Sequence, residues 1–478
     1  MGTVFADQSI VADGPEHARG AFAGEIILPG DRGYEEARKV WNGMIERRPA
    51  LIVRPASTAD VEWAVKYARE YGLLLSVRGG GHNVAGHATN DGGMVIDLVK
   101  LSQVHVDPLR RVVRAGGGAT IGQLDAETQE HGLAVPMGVV SQTGIAGLTL
   151  GGGFGWLRNK YGLSSDNLIG AQVVTADGSI VYASEDENFD LLWGLRGGGG
   201  NFGIVTEFVY RAYALGPEVF FAFAFHDARG DRLKKAIELY RDFTAAAPEE
   251  VSTLLSAGII PPIAGHFPEA IHNVPFVVLA GMYAGSVEEG RKALSPLIEF
   301  GEPLVDLSGA VPYVKAQTYF DEDYPNGMRY YWKSLNLSRL DDEVIDRIVE
   351  HTRRQPSVLS TVDLWDIGGA VARAGARESA FYGRQAAFLL NPEANWEDDA
   401  DDAANVAWVR EFIDDMQPFS DGSRYLNFAG FQEEGDALVR DAFGAQYARL
   451  AALKAKYDPH NLFRLNQNVK PALRAGAR

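Results

Sequence analysis

One histidine stands where few other side chains could react. The stretch "RGGGHNVAGHATNDGG" (78–93) follows the apolar run "LLLSV" (73–77) and reaches His82 through three successive glycines. A neutral imidazole can be a base, a nucleophile or a metal ligand. A metal site, a base, a covalent anchor and a residue without chemical function are therefore all open at this point. Successive glycines after a strand present backbone N–H groups in a concave nest, which holds phosphate oxygens without positive side chains. That suits this loop, where Arg78 is the only cationic side chain. Two further glycine loops, "GLTLGGGFG" (147–155) and "GLRGGGGNFGIVTEF" (194–208), follow. Three nests point to one large phosphate-bearing ligand. His87 reads as an ordinary loop residue. The histidines lack metal-binding spacing such as H-x-x-x-H, so no metal site is expected.

The elements around these loops set the fold class. "LIVRP" (51–55) reads as a strand, and "STADVEWAVKYAREYG" (57–72) as a helix with Val61, Ala64, Val65 and Ala68 at helical spacing. Ser57 and Asp60 suit a capping box. Strands are expected at 73–77, 94–98 and 110–116, and a helix at 120–132 with Gly132 at its C-terminal cap. None of this is the doubly wound dinucleotide fingerprint, in which G-x-G-x-x-G opens a helix; here "GGGHNVAGH" runs into the loop "ATNDGG". From about residue 216 longer strands (219–225, 276–283, 329–337, 359–367, 384–390) alternate with helices near 231–245, 286–299, 340–355 and 403–416. The reading is α+β, with a second domain of antiparallel sheet covered by helices on one face. A last helix near 435–456 leads into "YDPHNLFRLNQNVKP", which is expected to return to the first domain.

Composition narrows the function. The 478 residues suffice for roughly two or three domains at ~150 residues each. The 45 basic and 63 acidic residues leave a formal charge of −18, the wrong sign for phosphate neutralisation, so no nucleic-acid partner is expected. "NWEDDADDAA" (395–404) reads as a solvated acidic run. There is no cysteine, which excludes disulfides, thiolate metal sites and cysteine nucleophiles. No apolar run approaches the ~20 residues of a membrane span, and "MGTVFADQSIVADG" has no leader pattern. The expectation is a cytoplasmic protein without a membrane partner. Nothing here speaks to oligomeric state.

"SVRGGGHNVAGHATNDGGMVIDL", "PMGVVSQTGIAGLTLGGGFGWLRNKYGLSSDNL" (136–168), "LLWGLRGGGGNFGIVTEF" (191–208) and "KYDPHNLFRLNQN" (456–468) occur in this order along nearly the whole chain. Together they resemble the berberine bridge enzyme-like flavoproteins of the vanillyl-alcohol oxidase and p-cresol methylhydroxylase (PCMH) superfamily. The resemblance implies a two-domain PCMH-type fold. Residues 1–215, completed by 425–478, would bind FAD, and 216–424 would bind substrate. It also implies that a ring nitrogen of His82 is bonded to the 8α-methyl carbon of FAD. Many relatives add a cysteinyl link; Val140 holds that position here, so a single histidyl link is what remains.

The same resemblance places the cofactor against Arg78, Gly79, Gly80, Gly81, His82, Asn83 and Gly86, against Val140, Ser141, Thr143, Gly144 and Gly147, and against Gly151, Gly152 and Gly155. Gly203, Ile204 and Val205 would offer backbone groups, and Asn427, Asn466, Gln467 and Asn468 amides. In sugar-oxidising relatives the base is the tyrosine of a Y-x-N motif, matched by Tyr425 and Asn427 in "RYLNFAGF" (424–431). The glutamate of the alkaloid-cyclising relative aligns with Asn391, to within a residue or two, and an amide cannot take up its proton. Val84 replaces a tyrosine, and Phe154 keeps an aromatic ring without its hydroxyl, so the pocket is expected to be more apolar than a sugar oxidase's. Tyr331 and Lys333 alternate onto one face of their strand; which face is not readable. Thr143 holds the place where a valine favours oxidase behaviour.

The implied function is an FAD-linked oxidoreductase. It would move hydride from a hydroxyl-bearing carbon of a small alcohol, sugar or secondary metabolite to the flavin, with O2 as acceptor. A dehydrogenase with another acceptor, or a flavin carrier without turnover, remains the alternative.

Overall fold

The computed structural model describes residues 22–265, 267–430 and 436–473. The N-terminal stretch read above for a leader lies outside them.

The first half builds two main sheets and a short two-stranded one, Leu133–Ala134 with Tyr213–Ala214. In the smaller main sheet, Leu51–Arg54, Met94–Asp97 and Leu75–Arg78 run parallel, and Glu25–Ile27 adds an antiparallel edge. The helix Thr58–Glu70 makes the crossover. Its Ser57 accepts from the Asp60 amide at 3.2 Å, but the Asp60 carboxylate turns to the amides of Ala23 and Ala56. Only half of the expected capping box therefore forms. The helix Ile121–Gln129 makes the full box, through Thr120 and Gln123. The second sheet has five antiparallel strands, with Ile204–Arg211 at its centre.

The second half builds one antiparallel sheet of nine strands. Alternation divides its side chains. Leu255, Ala257, Leu364 and Leu390 pack under the helices Arg232–Ala246, Val287–Ile298, Asp342–Thr352 and Asp402–Met416. Leu254, Trp365 and Leu389 face the other way, onto Phe154, Trp156 and Leu157 of the glycine-rich half.

Four expectations change. The interior strand Val251–Ile259 was not anticipated, because its Ser, Thr and Gly residues dilute the β signal. "RYYWKSLNL" splits into Arg329–Trp332 and Leu335–Leu337. The expected strand 384–390 begins later, at Phe388, and runs to Trp396 through Pro392. The last helix is likewise interrupted, into Asp436–Phe443 and Tyr447–Tyr457, with Gly444 at φ 45° between them.

Buried ions join the parts. Arg158, beside the second glycine loop, donates to the carbonyls of Asp366 (2.8 Å) and Gly155 (3.0 Å) and pairs with the Asp366 carboxylate. Breaking one partner of such a pair costs about 3–5 kcal/mol. The C-terminal segment returns to the first half: Lys454 Nζ, wholly buried, donates to the carbonyls of Asn201 (2.7 Å) and Phe463 (2.8 Å) and to Asp458 (2.7 Å). No helix among the described residues is long and apolar enough to cross a membrane.

Candidate active site

The glycine loops converge on one cavity. Gly79, Gly80, Gly81, His82 and Asn83 line it, facing Val140, Thr143, Gly144 and Gly147. Gly151, Gly203, Ile204, Val205, Asn466 and Gln467 extend the wall, and Tyr425 and Asn427 close it from the C-terminal return.

The absence of side chains is structural here. A β-carbon on Gly80 would lie 2.3 Å from the Gly144 amide nitrogen, so the first loop and the segment before the second meet backbone to backbone. Gly147 and Gly200 are different, since a β-carbon on either would meet nothing within 4 Å. They border open space that a ligand can fill. Asn466 Oδ1 is buried there without a hydrogen-bond partner among the described residues, an acceptor suited to a ligand N–H or O–H. Bare backbone, open space and a waiting acceptor fit the pyrophosphate-bearing, tricyclic FAD.

Several residues expected at the ligand lie behind the wall. Arg78 turns backward: its guanidinium bonds Asp97 (2.8 Å) and the carbonyls of Ala37 and Lys39. Gly86 packs on Ile45, Gly152 on Phe381, and Gly155 on the Met137 carbonyl, so these glycines serve packing. Ser141 gives its amide and hydroxyl to Asp321, at 2.7 and 2.6 Å. Asn468 Oδ1 is buried without a partner among the described residues, but Asn468 does not line the cavity.

The strand Arg329–Trp332 settles the open question of facing. Tyr331 lies in the core beneath the helices and its hydroxyl accepts from Arg410 at 3.0 Å. Trp332 takes the cavity-facing place. Lys333, just past the strand, is buried outside the cavity wall. Asn391 is fully buried and donates to Glu393. Neither Lys333 nor Asn391 reaches the cavity as a catalytic group.

Sequence reasoning also missed wall residues. Trp41, Tyr324, Trp332, Trp365 and Phe428 make part of the cavity wall aromatic. Tyr324 donates to Glu393 at 2.7 Å, and Glu393 lies near Asp363 on the neighbouring strand. Burial pushes the Asp363 carboxyl up to about 7 and the Glu393 carboxyl well above its usual range. His87 is a buried wall residue too, and burial holds its pKa down at about 4. A local signal existed for none of these except Glu393, two residues from the aligned Asn391.

His82 lies partly buried at the cavity, and its burial lowers its pKa to about 4, so the imidazole is neutral near pH 7. Its Nδ1 lies 3.4 Å from Thr143 Oγ1. At the far end of the wall, the Tyr425 hydroxyl oxygen accepts from the Gly153 amide (3.1 Å) and from Asn427 Nδ2 (2.8 Å). Burial nonetheless raises Tyr425 to about 12, against the pull of these two donors. Phe154 meets its ring edge-on, with centroids 4.8 Å apart.

A glycine-walled cavity roofed by an antiparallel sheet is the architecture of a flavin-dependent oxidoreductase. Residues 49–184 match the family described as an FAD binding domain, and residues 424–470 match the one described as berberine and berberine-like. An FAD-linked oxidoreductase of Dictyostelium discoideum is 30% identical, over 94% of this chain and 95% of its own length. The (R)-6-hydroxynicotine oxidase of Paenarthrobacter nicotinovorans is also 30% identical, over 94% of this chain and 97% of its own. The crystal structure of 6-hydroxy-D-nicotine oxidase from Arthrobacter nicotinovorans superposes with a TM-score of 0.85 at 29% identity, covering 94% of this chain and 98% of that one. The chain belongs to the berberine-like FAD-linked oxidoreductases, and it has their two-domain PCMH-type fold.

Proposed function

We propose that this oxidoreductase removes hydride from a hydroxyl-bearing carbon of a small organic molecule, that its FAD is attached through His82 alone, and that O2 is the final acceptor. The bound flavin supplies the electron sink for the hydride. The chain's own part is to bind, orient and move a proton.

The observation that carries this reading is the environment of Tyr425. Its oxygen lies at the cavity wall and takes two N–H donors, from Gly153 and Asn427. Two donors on one oxygen favour the phenolate, the form that takes a proton from a substrate hydroxyl. Asn427 also donates to the Leu148 carbonyl at 3.1 Å, which fixes the amide and, through it, the phenol. The aromatic roof of Trp41, Tyr324, Trp332 and Trp365 favours an alcohol with an apolar or aromatic body over a polyol. With no cysteine in the chain, a second covalent link cannot form.

A second reading has one observation in its favour. A phenol at about 12 is mostly protonated near neutrality, and oxidation of a neutral amine needs no hydroxyl proton removed. An amine-bearing substrate therefore fits the same wall.

The test is an anaerobic screen of alcohols, sugars and amines that follows bleaching of the flavin's visible absorbance. Bleaching by an alcohol, with rapid recovery in air, supports the proposal. Bleaching by amines alone selects the second reading. Recovery only with an added dye makes the enzyme a dehydrogenase, and no bleaching by any compound leaves a flavin carrier.

A further inference from the structure

The ring of His82 does not stand alone. Trp41 stacks on it, with centroids 5.3 Å apart and planes 13° apart, and also stacks against Tyr330, at 3.7 Å and 12°. Three nearly parallel rings thus pile together, and of these His82 and Trp41 line the cavity. Further contacts hold the Trp41 ring. Trp41 Nε1 donates to the Tyr324 carbonyl at 2.9 Å, its backbone amide to the Gly81 carbonyl at 3.3 Å, and Trp332 meets it edge-on at 5.2 Å. Asn42, next in sequence, clips the same segment to both partners: its Nδ2 donates to the carbonyls of Val84 (2.8 Å) and Tyr330 (2.9 Å).

An imidazole in a glycine loop would otherwise turn freely about its side-chain bonds. Gly81 sits at φ 76° immediately before it, a conformation that gives the loop its turn without restraining the ring. Trp41 restrains one face, and Thr143 engages Nδ1 at 3.4 Å. Among the described residues Nε2 has no hydrogen-bond partner.

We propose that Trp41 is a positioning residue for covalent flavin attachment, holding the His82 ring in the orientation in which the bond forms. This rests on the reading of His82 as the linking residue. The step joins a ring nitrogen of His82 to C8α with loss of one hydrogen from C8α and one from the imidazole. The two electrons pass to the isoalloxazine, and O2 then takes them with two protons as hydrogen peroxide. Loss of orientation slows such a step steeply, since a displacement of about 1 Å can cost about a hundredfold.

The test follows covalent incorporation in time. Protein is produced without riboflavin, mixed with FAD in air and denatured at intervals; intact mass then reads the linked fraction, and acid-released flavin reads the unlinked one. Trp41→Leu is expected to bind FAD but link it at least about tenfold more slowly than wild type. Trp41→Phe, which keeps a ring in the pile, is expected to link at close to the wild-type rate. Tyr330→Leu removes the third ring without touching His82, and an intermediate rate is expected; it serves if Trp41→Leu does not fold. Wild-type linking rates in Trp41→Leu, or in Tyr330→Leu where that variant must stand in, overturn the proposal. A wild-type protein that never gains the FAD mass overturns instead the assignment of His82, a distinguishable failure.

Discussion

Gly80 and Gly144 meet without any side chain between them: a β-carbon on Gly80 would lie 2.3 Å from the Gly144 nitrogen, and one on Gly144 would lie 2.2 Å from the Gly80 nitrogen. The contact brings the loop that carries His82 against the segment that carries Thr143, and so sets the distance between those two side chains.

Gly80→Ala forces these backbones apart. Overpacking of this kind costs about 1–3 kcal/mol. The urea midpoint should fall, and flavin content after purification should fall with it. Full flavin content and an unchanged midpoint would show that the contact is loose.

Tyr425→Phe removes the phenol oxygen and leaves the ring against Phe154. Flavin reduction by the substrate found in the screen should slow by about 10²–10⁴-fold, the usual contribution of a positioned base. FAD should remain bound. In the wild type the deprotonated form grows as pH rises toward about 12, so the reduction rate should climb with pH through the alkaline range and lose that dependence in the variant. A flat wild-type profile would take Tyr425 out of the chemistry.

His82→Ala should abolish the covalent mass while the cavity still holds FAD. Acid precipitation should then release all the flavin, whereas wild-type protein should keep its colour in the pellet. Retained colour in the variant would move the link elsewhere.

Asp125 offers a stability test away from the flavin. It is fully buried, its Oδ2 accepts from Gln317 at 3.0 Å, and neither its Oδ1 nor Gln317 Oε1 has a partner among the described residues. Burial raises its pKa from 3.8 to about 7. The folded chain therefore holds this proton more tightly than the unfolded one, and the stability from it is complete at low pH and lost as pH rises through about 7. Asp125→Asn removes the titration and can donate to Gln317 Oε1. It should stabilise the protein at pH 8 by on the order of 2 kcal/mol, with a much smaller gain at pH 4. Urea midpoints at the two pH values decide it; equal shifts would mean that Asp125 does not titrate in this range.

The place of the glycine loops, and with them of His82, at the cavity was legible because it is set by the backbone: a run such as Gly79–Gly81 announces the bare surface that it makes. Side chains that act through tertiary placement left no such mark. Trp41 reaches Tyr324 across 283 positions in the chain. Arg78 looked like the charge of a ligand loop, yet its strand register sets it beside Asp97, and the pair closes inward. Alternation put Tyr331 and Lys333 on one side of a strand, but the strand ends at Trp332, and only the packed helices could decide that the side of Tyr331 is the core. Asn391 and Glu393 share a face of Phe388–Trp396 that the expected strand, ending at residue 390, did not include.

The hydroxyl of Tyr425 is the acceptor for the main-chain N–H of Gly153, so one peptide group of the second glycine loop depends on a residue 272 positions further along. Deuterium uptake at that single amide becomes a clock for the closing segment. It can exchange only when the tyrosine lifts away, and its protection reports how often this side of the cavity wall comes apart.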